Sequence, residues 1–279
     1  MSANSVDVRG IPVPAILYGT AWKEDETERL VRLALAQGFV GIDTANQRKH
    51  YFEAGVGAAI AEHLAKQGRD ALFLQTKFTY PRGQDHRLPY DVTASPAEQV
   101  RQSFARSLQH LGVTRIDSYV LHGPESARGI TPSDLEVWRA MEALCDQGLV
   151  RLLGVSNVSA EQLEALARAA RICPAFVQNR CYAARGWDAD VRAVCRAHDA
   201  VYQGFSLLTA NRAVWQHPRT AAIAERAGAT PAQVIFAMAR GLGMVPLTGT
   251  TDAQHMREDL RALAVPLSPA ELAELTALG

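Results

Sequence analysis

Apolar residues follow two rhythms along this chain. Eight short runs rich in Val, Ile, Leu and Phe, at 15–19, 40–44, 72–77, 118–122, 153–156, 176–178, 202–205 and 244–247, lack strict alternation, as strands covered on both faces do. Between them lie longer stretches of helical period. Residues 25–37 put Leu30, Val31, Leu33 and Ala34 on one side, and 54–67, 95–111, 132–147 and 159–170 behave alike. Thr131-Pro132 and Thr230-Pro231 each set a capping hydroxyl before a proline at the first helical position, and Ser159 opens a Ser-Ala-Glu-Gln capping box. Strand and helix alternating in this way over about 250 residues predict an α/β protein of the (β/α)8 TIM-barrel type, a single domain over 1–279. Two pieces stand outside the repeat: residues 80–94, with Pro81, Gly83 and Pro89, and a C-terminal helix over 268–278. The rival architecture, an open doubly wound sheet, carries a glycine-rich turn after its first strand. Here that strand ends Tyr18-Gly19-Thr20-Ala21-Trp22, with no GxGxxG, which favours the barrel.

Composition narrows the partners. Lys plus Arg and Asp plus Glu number 29 each in 279 residues, so no net field gathers a nucleic acid or an anionic membrane. No apolar run reaches the roughly 20 residues of a membrane span. The opening MSANSVDVRGIPVP places Asp7, Arg9, Pro12 and Pro14 before any apolar stretch, unlike a secretory signal. Cys145, Cys173, Cys181 and Cys195 form no CxxC pair and have no zinc-finger spacing to histidine. The expectation is a cytoplasmic protein with reduced thiols, a monomer or weak oligomer, acting on a small molecule.

In a barrel the chemistry sits where strands end. Singly, Asp43 reads as a cap, Lys77 as a solvated lysine and His122 as a core histidine. Together they end the second, third and fourth strands and converge on one mouth, with Tyr51 in the loop after the second. A free tyrosine, with a pKa near about 10, exchanges protons poorly at neutral pH. A lysine cation beside it favours the phenolate, and a carboxylate fixes and keeps that lysine charged. Tyr51 is then the proton donor, Lys77 its tuner, Asp43 the anchor of Lys77, and His122 a second donor to the same substrate oxygen. Two donors without a nucleophile or a metal cluster suit a carbonyl that gains charge as hydride arrives, and hydride needs a cofactor. Ser156, Asn157 and Gln178 offer neutral partners to a carboxamide, and Phe205 a flat face to a ring.

GFVGIDTA, QTKF, YVLHGP, GVSN and VQN occur in an order and spacing that resemble the aldo-keto reductase superfamily, from about residue 10 to 260. The resemblance implies a catalytic tetrad of Asp43, Tyr51, Lys77 and His122. It implies that a nicotinamide cofactor lies across the barrel mouth, with Gly19, Thr20 and Asp43 near its ribose and Ser156, Asn157 and Gln178 on its carboxamide. Phe205, Ser206 and Leu207 follow along the cofactor. Thr248, Gly249, Thr250, His255, Glu258 and Asp259 belong to its adenosine half, and Trp22 and Gly123 to the substrate pocket.

Four departures from the family pattern carry consequences. Tyr51 falls eight positions after Asp43, later than in DTAxxYxNExxVG, and His50 is the rival donor in that loop. The common HWP is His122-Gly123-Pro124, and the chain ends soon after its last helix, which together predict a roomy pocket. Leu247 stands where a lysine commonly meets the 2′-phosphate, with His255 or Arg257 as substitutes and Thr248 and Thr250 as hydrogen-bond donors. The family implies NADP(H) ahead of NAD(H). The expected activity is reversible, metal-free reduction of aldehydes or ketones. Two alternatives remain: a non-catalytic nicotinamide-binding relative serving as a regulatory or scaffold subunit, and a metal-dependent barrel hydrolase. The latter needs clustered His and carboxylate ligands where only Asp43 and His122 stand.

Overall fold

The computed structural model describes residues 4–279, so residues 1–3 of the expected domain lie outside it. The chain opens with an antiparallel hairpin that the hydrophobic pattern does not signal, β1 (Ser5–Val8) and β2 (Ile11–Pro14). Eight strands follow: β3 (Leu17–Gly19), β4 (Gly41–Asp43), β5 (Phe73–Phe78), β6 (Ile116–Leu121), β7 (Val150–Ser156), β8 (Phe176–Arg180), β9 (Val201–Phe205) and β10 (Met244–Thr248). They close a parallel barrel in the order β10-β3-β4-β5-β6-β7-β8-β9. All eight coincide with the apolar runs, with shifted ends. β6 starts two residues early because Asp117 does not break it: its carboxylate accepts Leu74 N at 2.9 Å and pairs with Arg69 at 2.6 Å.

Helices α1 (Thr27–Gln37), α2 (Glu53–Gln67), α3 (Pro96–Leu111), α4 (Pro132–Asp146), α5 (Ala160–Ala169), α6 (Ala189–Ala197), α7 (Arg212–Trp215), α8 (Pro218–Ala227), α9 (Pro231–Gly241), α10 (Ala253–Arg261) and α11 (Pro269–Thr276) complete the chain. The capping signals act as read. Thr131, Ser159, Thr230 and Ser268 each close a reciprocal capping box, and Ser95 accepts Glu98 N. These hydroxyl residues are the caps themselves, so α3, α5 and α11 begin one residue later than the pattern suggests. Gly57 lets α2 lie against the end of α3, where a Cβ would collide with His110 O.

Two cores divide the molecule. The larger joins the helices to the outer face of the barrel. The smaller lies inside it, where Phe73, Leu152, Phe176 and Val245 sit near strand starts and meet Val8 and Val13 of the hairpin. The hairpin therefore closes the N-terminal mouth, and Arg9 ties it down by donating to Cys173 O at 2.7 Å and Pro174 O at 3.0 Å. Above this apolar floor the barrel interior turns polar. Register sets Asp43 beside Gln75, Gln75 beside Ser118, and Gln178 beside Gln203. No helix among the described residues is long and apolar enough to cross a membrane.

Candidate active site

Lys77 is fully buried and Asp43 nearly so. Lys77 Nζ donates to both carboxylate oxygens of Asp43 and to Thr44 O, each at 2.7 Å. Asp43 Oδ1 also accepts Gln75 Nε2 at 2.7 Å and Gln178 Nε2 at 3.0 Å. Gln203 completes the lattice, accepting Gln75 Nε2 at 2.7 Å and Gln178 Nε2 at 3.0 Å. Neither Gln75 nor Gln203 is singled out by sequence reasoning, although a glutamine inside an apolar strand run was the available signal. Burial pulls the Lys77 pKa down, against the Asp43 carboxylate that raises it, so the ion pair and its amides hold the lysine charge in place.

The longer loop after β4 still brings Tyr51 back. Its extra residues form a turn in which His50 N and Tyr51 N donate to Gln47 O at 3.2 and 3.0 Å, and Trp22 N donates to His50 O at 2.7 Å. The Tyr51 ring lies 5.2 Å from Lys77 Nζ and 5.8 Å, edge-on, from the His122 ring. His50 instead stacks on the exposed Trp22, ring centres 3.8 Å apart. The expectation that Lys77 lowers the resting phenol pKa is not met. All three Lys77 donors are taken by Asp43 and Thr44, and burial, then the Asp43 carboxylate, push the phenol above its ordinary value. Tyr51 is thus held protonated.

His122 Nδ1 lies 2.7 Å from Thr79 Oγ1, a partner the sequence does not signal. Burial, then Lys77 and His50, push its pKa down to about 3, so the ring is neutral, with one N–H to offer.

Tyr51 and His122 stand on one cleft of about 690 Å³ across the strand ends, within the range of small-molecule and cofactor sites. Gly19, Trp22, Asp43, His50, Ser156, Asn157, Gln178, Phe205, Ser206 and Leu207 line it. Thr248, Gly249, Thr250, His255, Glu258 and Asp259 line its far part, beside Trp215 and the start of α9 at Thr230, Pro231 and Ala232. Trp215, the start of α9 and Arg180, which reaches Ser206 Oγ at 3.2 Å, are additions to the sequence reading. Asn157 and Ser206 both take left-handed backbone, at φ 55° and 57°, which turns the chain sharply at two strand ends.

The polar accounting is selective. Gln178 uses Nε2 on Asp43 and Gln203. Asn157 uses Nδ2 on His122 O at 2.8 Å and Ser156 Oγ at 3.1 Å. The amide oxygens Oε1 and Oδ1 remain as acceptors, complementary to the –NH2 of a primary carboxamide.

Thr20 and Gly123 stand outside the lining of this cleft. Thr20 is fully buried, its hydroxyl donating to Asp43 O at 3.0 Å, and it supports the wall of the cleft without lining it. Gly123 lines a neighbouring pocket of about 310 Å³ with Thr79, Tyr80, Arg82 and Ser126, joined to the cleft through His122 and Asn157.

The model of the aldo/keto reductase family matches residues 15–279. An aldo-keto reductase of Mycolicibacterium smegmatis is 29% identical over 98% of this chain and 88% of its own length. Aldo-keto reductase family 1 member A1 of Rattus norvegicus is 25% identical over 100% and 90%. Among solved structures, an aldo/keto reductase from Brucella melitensis superposes with TM-score 0.83, at 26% identity and 99% coverage of each chain. A Bombyx mori aldo-keto reductase in complex with NADP shares the fold, with TM-score 0.82, 23% identity and coverage of 100% of this chain and 93% of that one.

Proposed function

Because this chain belongs to the aldo/keto reductase family, we propose that it interconverts aldehydes or ketones and alcohols, with Tyr51 as proton donor and a nicotinamide dinucleotide as hydride carrier. The donor set fits such a cofactor: Gln178 Oε1 and Asn157 Oδ1 are the acceptors left over, and Phe205 lines the cleft beside them. When bound, the nicotinamide supplies hydride. Everything else falls to the chain.

A carbonyl oxygen set between Tyr51 and His122 receives two hydrogen bonds that strengthen as negative charge grows on it. With Nδ1 accepting the Thr79 hydroxyl, His122 Nε2–H is its donor to that oxygen. The phenol proton then passes to the alkoxide. Lys77 acts at this point, since its buried cation, 5.2 Å from the ring centre, stabilises the phenolate left behind. In this role Lys77 serves the transition state and the product phenolate, while the resting phenol stays protonated. Two side-chain hydrogen bonds do the polarising that a metal does elsewhere.

The observation that carries this reading is the meeting of Tyr51, His122 and the buried Asp43–Lys77 pair at one cleft. Its test is Tyr51→Phe, assayed by loss of reduced-nicotinamide absorbance against a panel of aldehydes, ketones and diketones. Turnover should fall by about 10²–10⁴ while cofactor affinity barely changes. Near-normal turnover in the variant transfers the donor role to His50. A wild-type protein that binds cofactor and reduces nothing on the panel is the non-catalytic relative.

A further inference from the structure

The far part of the cleft is where the two nicotinamide dinucleotides differ, because a molecule with its carboxamide at Gln178 and Asn157 stretches along the cleft towards α9 and α10. One dinucleotide ends in an adenosine ribose with a 2′-hydroxyl, the other in a 2′-phosphate. A hydroxyl is served by a carboxylate acceptor, whereas a phosphate dianion needs cations or free N–H donors.

The charged side chains that line this far part are both acidic. Glu258 and the buried Asp259 line this part of the cleft, and Leu247 contributes only a hydrocarbon wall. Thr248 Oγ1 donates to Asp259 Oδ2 at 2.6 Å, so its proton is not offered to the cleft. The start of α10, which would otherwise attract an anion through its free amides, is already filled: Asp252 Oδ1 accepts Gln254 N at 2.7 Å and His255 N at 2.9 Å. Arg257 turns away to Gln37 of α1, 2.9 Å distant. Lys23 gives its Nζ to Gly249 O. The one basic side chain left on this stretch of lining is the exposed His255.

From this arrangement we infer that the protein selects NADH over NADPH, with Glu258 and Asp259 accepting from the adenosine ribose hydroxyls and Asp252, Glu258 and Asp259 repelling a 2′-phosphate. This reverses the expectation of NADP(H) that the family resemblance carries. It rests on the nicotinamide reading above. Burial pushes Asp259 up to about 6, which leaves it largely ionised at pH 7.5, so the repulsion is in force at physiological pH.

The test is binding alone. Full-length protein is titrated with NADH and with NADPH at pH 7.5, following quenching of tryptophan fluorescence, since Trp22 and Trp215 both line the cleft. NADPH should bind about tenfold or more weakly at low salt, and the gap should narrow as salt screens the carboxylates. Leu247→Lys combined with Asp259→Asn should bring the two dissociation constants within about threefold, chiefly by tightening NADPH. NADPH binding as tightly as NADH to the wild type overturns the inference and leaves the proposed activity standing. A wild-type preference for NADH that the double variant leaves unmoved overturns the assignment to these residues. Binding of neither at millimolar concentration overturns the nicotinamide reading and this inference with it.

Discussion

Exchanging the two members of the buried ion pair separates their contributions most sharply. Lys77→Met leaves Asp43, 2% exposed, without its cation but with two amide donors, Gln75 Nε2 and Gln178 Nε2, at 2.7 and 3.0 Å. Breaking a buried pair costs about 3–5 kcal/mol, and these surviving donors place this variant near the low end, about 3 kcal/mol. Asp43→Asn does more damage. Asp43 Oδ1 accepts from three donors and Oδ2 from Lys77, and an amide must turn its –NH2 towards one of those groups. Lys77, deprived of the carboxylate that opposes its burial, also discharges, for a loss of about 4–5 kcal/mol. The double variant carries no unpaired charge and should lose about 3–4 kcal/mol, well short of the sum of the singles, a coupling of about 3–5 kcal/mol. Urea unfolding at pH 7.5, read from tryptophan fluorescence, measures all four corners of the cycle. Turnover should be suppressed in both singles, because both remove the lysine charge. For turnover the sequence alone suggests a milder Asp43→Asn, on the assumption that the lysine stays charged; the full burial of Lys77 removes that assumption and brings the two losses together. Losses that add within about 0.5 kcal/mol would refute the argument.

Two further outcomes follow from the same geometry. Gly123→Trp has room at its Cβ, 3.6 Å from Asn157 Cβ and 3.7 Å from Ser156 O, so the indole should fill the side pocket and raise KM for bulky ketones several-fold while sparing small aldehydes; equal losses on both would mean that Gly123 supports His122 and does not bound the substrate. His122 is neutral in the fold, with a pKa near 3 against the ordinary 6.5, so the stability tied to it is complete above about pH 6.5 and drains away as pH falls towards 3, by at most about 1.4 kcal/mol per unit. Asp259, raised to about 6, works in the opposite sense, its contribution being present at low pH and lost as pH rises through 6. The stability gap between wild type and His122→Asn should therefore shrink between pH 6.5 and 4.5, and a gap that stays constant in urea titrations would contradict a neutral buried imidazole.

Much of this protein is local in origin and readable from the chain. The alternation of apolar strands and amphipathic helices specifies the barrel because period and length are short-range properties, and the capping boxes at Thr131, Ser159 and Thr230 need only residues three apart. Asp43, Lys77 and His122 were legible because strand ends mark the mouth wherever the strands are known. What the sequence could not decide depends on partners far apart along the chain. Gln75 and Gln203, 128 positions apart, meet on Asp43 and Gln178 only when the barrel closes. The hairpin that closes the other mouth owes its place to Arg9 and carbonyls about 165 residues away. The turn that returns Tyr51, the side pocket at Gly123 and the carboxylates of Glu258 and Asp259 at the far part of the cleft are likewise products of closure. Protonation is decided there too. The residue types of Tyr51, Lys77 and His122 name the chemistry, while burial and saturated hydrogen bonds, which exist only in the closed barrel, determine which of them holds a proton and which donors are already taken.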